Sequence, residues 1–357
     1  MMEPQASPLL VRLSQTTQSD KRRNNLPFIS HICVKSRLKL AGITIALRYR
    51  MKTRLTIALT LLLFTASLVP AQTTRPTWQP PAPRKSPTLF APKPLSGNNI
   101  FKGEKEVWLS DALEELEGGV FSELKDQEIS AYIAQVGTNL TLYSANPKKT
   151  YTFIVTTDDT PDAMTSGAGR IYVSLGMLRL VQTEDELAGI IAHEITHDVF
   201  AHIPKTLTRQ MFWMTGTRKV SNPVEVRNKL EQLLGEYQKT PIASVGEQLV
   251  GFARFDELEA DRGAFYITYK AGYNPQALST ILDRYEQEQK EDVDKSEYRW
   301  GQVYALLLGN HPLTAQRSLA LSWESNFVKT PAKDSFYRSA AFDEMKKRLV
   351  LLDKTGK

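Results

Sequence analysis

Apolar residues recur at helical spacing along most of this chain and alternate with polar ones in only two short places. Residues 106 to 145 read as helix, Tyr151–Thr157 and Arg170–Ser174 read as strands with alternating faces, and most of the chain after Glu184 returns to the helical period. The pattern predicts an α+β fold dominated by helices, with a small sheet ahead of the longest buried helix. That helix has a legible start. Thr183 is placed to accept from first-turn amides and Glu186 to reach back, a capping box, and Leu187, Ile190, Ile191 and Ile195 then follow on one face. A second helical pattern runs from Leu249 to Tyr269 and stops near Gly272. Between the two lie an apolar cluster, Met211 to Met214, and a charged amphipathic stretch from Val224 to Tyr237. The interval from Lys205 to Gln248 is too polar to span a membrane and reads as a mobile helical cover over a cleft, with peripheral membrane contact as a second option. Residues 286 to 297, with mixed charges, read as a solvated helix end and loop.

The first helix carries the chemistry. His193-Glu194-Ile195-Thr196-His197 stacks two imidazoles one turn apart with a carboxylate beside the first, half of a catalytic zinc site. A catalytic ion needs a third protein ligand and an open position. Glu257, sixty residues after His197, is the candidate, and Asp261 one turn further is spaced to accept a hydrogen bond from a ligand histidine. Glu259 points elsewhere, towards solvent. The same acidic residues also suit an ordinary charged helix face, and spacing alone leaves both readings open. His202, nine positions from His193, falls on nearly the opposite side of a continued helix and reads as structural.

Four segments together resemble the gluzincin metallopeptidases of family forty-eight, the group containing the HtpX heat-shock protease, the CaaX prenyl proteases and secreted periplasmic relatives. Ala192 to His197 is similar to the family's zinc helix, and Glu257-Leu258-Glu259-Ala260-Asp261 matches its E-x-x-A-D signature. Ala271 to Pro275 resembles the turn that follows, and His311-Pro312-Leu313-Thr314-Ala315-Gln316-Arg317 resembles the downstream H-P-x-x-x-x-R segment. The likeness runs from about Val107 to Trp323. It implies a zincin-like domain with one Zn2+ on His193, His197 and Glu257, activating water and polarising a peptide carbonyl, and Glu194 as general base. It further implies that His311 either donates to the oxyanion or blocks the open zinc position, and that Arg317 braces the region. Zincins lay an edge strand beside the metal to hold substrate in extended form, and Ile171, Tyr172, Val173 and Ser174 are the expected segment. One departure stands out: Asp162-Ala163-Met164-Thr165-Ser166-Gly167-Ala168-Gly169 keeps the glycine turn of the family's N-A-F-x-x-P-G-G stretch but not its Asn and Pro.

The start of the chain changes the meaning of its composition. Met51-Lys52-Thr53-Arg54, an apolar run from Leu55 to Val69 and Pro70-Ala71-Gln72 form the pattern of a secretory signal peptide cleaved after Ala71, with a retained membrane anchor through residues 55–69 as the alternative. Residues 1–50 are basic and without a core pattern, an over-extended start ahead of a true initiator at Met51. The net charge of +6 comes from this leader, which holds 11 of the 45 Lys and Arg but 2 of the 39 Asp and Glu. The remaining chain has net charge −3, so the basicity says nothing of nucleic acid. Its one cysteine, Cys33, is also in the leader, which suits export to a bacterial periplasm without disulfides. Residues 72–97 are proline-rich and read as an extended, flexible linker, and 98–357 as the catalytic domain. Two functions are compatible with these residues: an endopeptidase acting on misfolded or mistargeted envelope proteins, and a zinc-bound chaperone or assembly factor whose cleavage is repressed.

Overall fold

The computed structural model describes residues 78–85, 92–93, 96–116, 122–239, 242–292, 315–331 and 336–355. In chain order the described elements are α1 (Glu104–Leu116), α2 (Gln127–Thr141), β1 (Thr152–Thr156), β2 (Ala163–Gly167), β3 (Arg170–Ser174), α3 (Leu175–Leu180), α4 (Glu184–Val199), α5 (His202–Thr215), α6 (Pro223–Lys239), α7 (Ile242–Ala271), α8 (Ala277–Asp292), α9 (Ala315–Ser325) and α10 (Ala340–Thr355). Helices around a small sheet are the α+β architecture expected from the periodicity.

The region read as helical over 106–145 holds two described helices, α1 and α2. Asp126 starts the second: in extended conformation it caps α2, its Oδ1 accepting from the amides of Glu128 and Ile129 at 3.1 Å each, while Glu123 just before it bridges to Thr156 of β1. The sheet order is β1-β3-β2, with β1 parallel and β2 antiparallel to β3. Ile171 to Ser174 therefore do not form an edge. Their backbone is paired on both sides, and the edge strand against α4 among the described residues is β2, buried along its length, which the sequence pattern did not identify. The β2–β3 turn passes through Gly167, Ala168 and Gly169 at φ of 90°, 54° and 79°, the left-handed region. At Gly169 no side chain is tolerated, since a Cβ would lie 2.1 Å from the carbonyl oxygen of Thr150.

α4 is the central post of the molecule, and every residue from Glu184 to Asp198 is buried. Thr183 caps it, its Oγ1 accepting from the Glu186 amide at 3.2 Å. Glu186 reaches back as expected, though to the amide of Gln182, and is also gripped by both terminal nitrogens of Arg284. Leu187, Ile191 and Ile195 are fully buried against Ile129, Ile133, Phe265 and Ile281 in the main core. α7 lies along α4, and Gly263 sets how closely: a Cβ there would meet Thr196 Cγ2 at 2.3 Å and Oγ1 at 2.4 Å, and Thr196 is locked by its own hydrogen bond to the Ala192 carbonyl. Gly263→Ala is expected to cost about 1–3 kcal/mol as the helices are forced apart. Urea unfolding would test this, and a change within error would show that the contact yields freely.

Two expectations about the surroundings are corrected. Residues 78–85 are extended but not a free linker. Trp78 donates its indole N–H to buried Glu184 at 2.8 Å, the Arg84 backbone amide donates to the Lys270 carbonyl, and the Arg84 guanidinium lies over the Tyr269 ring, so the segment is held to α4 and α7. The interval after the zinc helix is not a loose cover either. Met211, Val226, Leu230 and Leu233 are buried with Phe101, Leu109 and Leu207 in a second core, so α5 and α6 are packed helices whose apolar faces are used. Phe212 and Trp213 of the apolar cluster point outward, and α8, running to Asp292, supplies the helix end expected within 286–297. Among the described residues no helix is long and apolar enough to cross a membrane.

The buried acid at the start of α4 gives a pH signature. Asp185 accepts from the amides of Asn274 and Tyr337, yet burial outweighs these bonds and pushes its pKa up to about 6. A carboxyl whose pKa rises on folding contributes stability that is fully present below about pH 4 and lost as pH rises through about 6. The unfolding free energy of the wild type minus that of Asp185→Asn is therefore expected to fall by roughly 1–3 kcal/mol between these limits. A difference that is flat or rises with pH would contradict this.

Candidate metal centre

α4 presents His193 and His197 on one face because they lie four residues apart, and α7, packed alongside, brings Glu257 and Asp261 opposite them. The three ligand-type atoms converge. His193 Nε2 and His197 Nε2 are 3.0 Å apart, Glu257 Oε2 is 3.3 Å from the first, and Glu257 Oε1 is 3.2 Å from the second. A tetrahedral ion with bonds of about 2.0–2.1 Å separates its ligand atoms by about 3.3 Å, so this triangle has the dimensions of one face of a zinc site. Two imidazoles and one carboxylate are also the donor set that zinc prefers. The residues present therefore fit a zinc ion.

Each ligand-type side chain is held from behind. His193 Nδ1 lies 3.0 Å from Asp261 Oδ1, and Asp261 is bound by two nitrogens of Arg317 from α9, at 2.7 and 2.6 Å. Arg317 Nη1 also lies 2.9 Å from Glu257 Oε2. Sequence spacing predicted the Asp261 contact, and Arg317 stands beside both acids. Burial would raise the Asp261 pKa, but the Arg317 charge and its hydrogen bonds outweigh it and hold the carboxyl below its usual value. Burial drives His197 well below the ordinary imidazole range, which keeps it neutral, the form that binds metals. Burial also opposes charging His193, but the hydrogen bonds and charges of Asp261 and Glu257 prevail and raise its pKa. Glu194 is buried beside His193, and its charge adds to the field that keeps Arg317 protonated.

Three contributors were not legible from motif spacing. His202 does not face away from the centre, and its Nδ1 lies 3.0 Å from His197 Nδ1. α4 ends at Val199, and Ala201 at φ 54° turns the chain, so the helical angle projected for His202 does not apply. Glu259 does not point to solvent but faces His202 Nε2 at 3.4 Å. Asp198, beside His197, accepts from the Gly169 amide at 2.9 Å and pairs with Lys149 at 2.8 Å, tying the end of the histidine helix to the β2–β3 turn. His311 lies outside the described residues, as do residues 1–77.

Two stacked histidines with an intervening glutamate, joined by a carboxylate from a second helix, define a gluzincin-type metallopeptidase centre. The sequence profile of Peptidase family M48 matches residues 125–324, more than half of the chain, and the chain belongs to that family of zinc metallopeptidases. Among curated relatives, it is 22% identical over 200 residues to the beta-barrel assembly-enhancing protease of Escherichia coli strain K12, covering 54% of this chain and 38% of that protein. It is 26% identical over 186 residues to the mitochondrial metalloendopeptidase OMA1 of Schizosaccharomyces pombe, covering 52% and 50%, and 25% identical over 117 residues to OMA1 of Arabidopsis thaliana, covering 33% and 22%. The chain thus spans half or less of the length of these relatives.

Proposed function

We propose that this chain is a zinc-dependent endopeptidase that hydrolyses peptide bonds in misfolded or mistargeted envelope proteins. The observation that carries the reading is the convergence of His193, His197 and Glu257 at 3.0 to 3.3 Å with Glu194 beside them. When bound, zinc supplies an acidified water and a Lewis acid for the scissile carbonyl. Glu194 takes the proton of the attacking water and returns it to the leaving amine as the carbon–nitrogen bond breaks, so protons balance across the step. Asp261 fixes the proton of His193 on Nδ1 and turns Nε2 to the metal, and Arg317 neutralises the two acids that would otherwise repel each other. A purely structural zinc site fills all four positions with protein ligands and has no use for Glu194, which favours catalysis over a chaperone role.

β3 is interior to the sheet, so the substrate strand is assigned to β2, with Ala163–Thr165 pairing an extended peptide. The resemblance gives His311 the oxyanion or the open metal position, and His311→Ala is expected to change turnover without loss of zinc; unchanged turnover would retire that role. Residues 51–71 support export to a periplasm, which agrees with a client pool of envelope proteins. The function is tested by casein hydrolysis before and after removal of metal with a chelator. Cleavage that stops on chelation and returns with one equivalent of zinc is expected, and cleavage indifferent to chelation would refute the reading.

A further inference from the structure

The two histidines of the centre are held in unlike ways. His193 is backed by a carboxylate, Asp261, whereas His197 is backed by a third histidine. His202 is buried, with Nδ1 3.0 Å from His197 Nδ1 and Nε2 3.4 Å from Glu259 Oε2. Nε2 makes no hydrogen bond among the described residues, and the Glu259 carboxylate is the acid it faces. A nitrogen–nitrogen contact needs one donor and one acceptor, and an imidazole carries one proton when neutral. If His197 gives its Nε2 lone pair to the metal, its proton is on Nδ1, and His202 Nδ1 must accept it. The proton of His202 is then on Nε2, the atom that faces Glu259. Every proton in the row has one place.

We infer that His202 is the positioning residue of His197, forming a His197–His202–Glu259 relay that sets the tautomer and ring angle of the second histidine. The inference rests on the reading of His197 as a zinc ligand. Its physical purpose differs from that of Asp261, because a neutral acceptor orients the ring without adding negative charge to a centre that already holds Glu257 and Asp261 against one guanidinium. The turn at Ala201 makes the contact possible, since it swings the first residue of α5 back under the end of α4.

A rival use of the same side chains is a second metal site on His202, Asp256 and Glu259, whose ligand-type atoms lie within 4.8 Å of one another. Proton placement opposes it. Metal on His202 Nε2 would put the His202 proton on Nδ1, head to head with the Nδ1 proton of a zinc-bound His197. Asp256 is also already engaged, by Thr206 at 3.2 Å and Arg209 at 3.3 Å. The relay and the first zinc ion are mutually consistent, and a second ion is not.

The test is zinc affinity, measured by chelator competition on the wild type, His202→Leu, His202→Asn and His197→Ala. Asn places Oδ1 at the same bond position as imidazole Nδ1 and so keeps an acceptor for His197. His202→Leu is expected to weaken zinc binding roughly 10–100-fold, as loss of an orienting partner does elsewhere, and His202→Asn to recover most of that loss. In zinc-loaded wild type, nitrogen-15 NMR should report His202 as the Nε2–H tautomer. Wild-type affinity in His202→Leu, equal weakness in Leu and Asn, or an Nδ1–H tautomer would each overturn the relay. Unchanged affinity in His197→Ala would instead overturn the ligand reading beneath it. Urea unfolding of the metal-free variants separates misfolding from loss of the contact.

Discussion

Glu194→Gln is expected to lower peptide hydrolysis by roughly 10³-fold, equivalent to about 4 kcal/mol in the barrier, while leaving bound zinc unchanged. The amide has nearly the shape of the carboxylate and can still accept a hydrogen bond, but it cannot take a proton from water at neutral pH. His193, Glu257 and Asp261 are untouched by the change, so the geometry that fits the ion persists. Rates on casein or a quenched peptide, measured beside zinc content, give the comparison. Activity within tenfold of the wild type would mean that another group moves the proton.

The second large effect concerns Arg317. It is 2% exposed and holds Asp261 at 2.6 and 2.7 Å and Glu257 at 2.9 Å, so two buried carboxylates depend on one guanidinium. A buried pair adds little over an apolar substitute, but removing one partner strands the other charges. Arg317→Met is accordingly expected to lower the stability of the metal-free protein by about 3–5 kcal/mol. The loss should be smaller in the zinc-loaded protein, because an ion bound only by the folded chain restores positive charge beside Glu257 and stabilises by mass action. Denaturant unfolding with and without zinc tests both parts. A loss below 1 kcal/mol in the metal-free protein would mean that the acids are neutralised otherwise.

The parts of this site that sequence exposed are those set by local periodicity. His193 with His197, and Glu257 with Asp261, each share a helix face because four residues make about one turn, and Thr183 marks the helix start by its side-chain chemistry. What sequence concealed depended on breaks and on distant partners. The angle of His202 was projected through a helix that ends three residues earlier, and the left-handed Ala201 gives no sequence signal comparable to a glycine. β2 reads poorly because Ala163-Met164-Thr165-Ser166-Gly167 has little strand propensity of its own and pairs because β3 offers Ile171 and Val173 beside it. Position within a sheet is likewise a tertiary fact, so the alternation in Arg170–Ser174 identified a strand without telling edge from centre. The prolines around Trp78 and Arg84 suggested a spacer, although the Trp78 indole and the Arg84 amide and guanidinium anchor the segment to α4 and α7.

The central claim is that one zinc ion is held by His193, His197 and Glu257. Native mass spectrometry of the purified wild-type chain beside a His193→Ala, His197→Ala double variant measures this most directly. One zinc per chain is expected in the wild type and none in the variant. A wild-type chain without metal under zinc saturation, or a variant that still carries one ion, would contradict it.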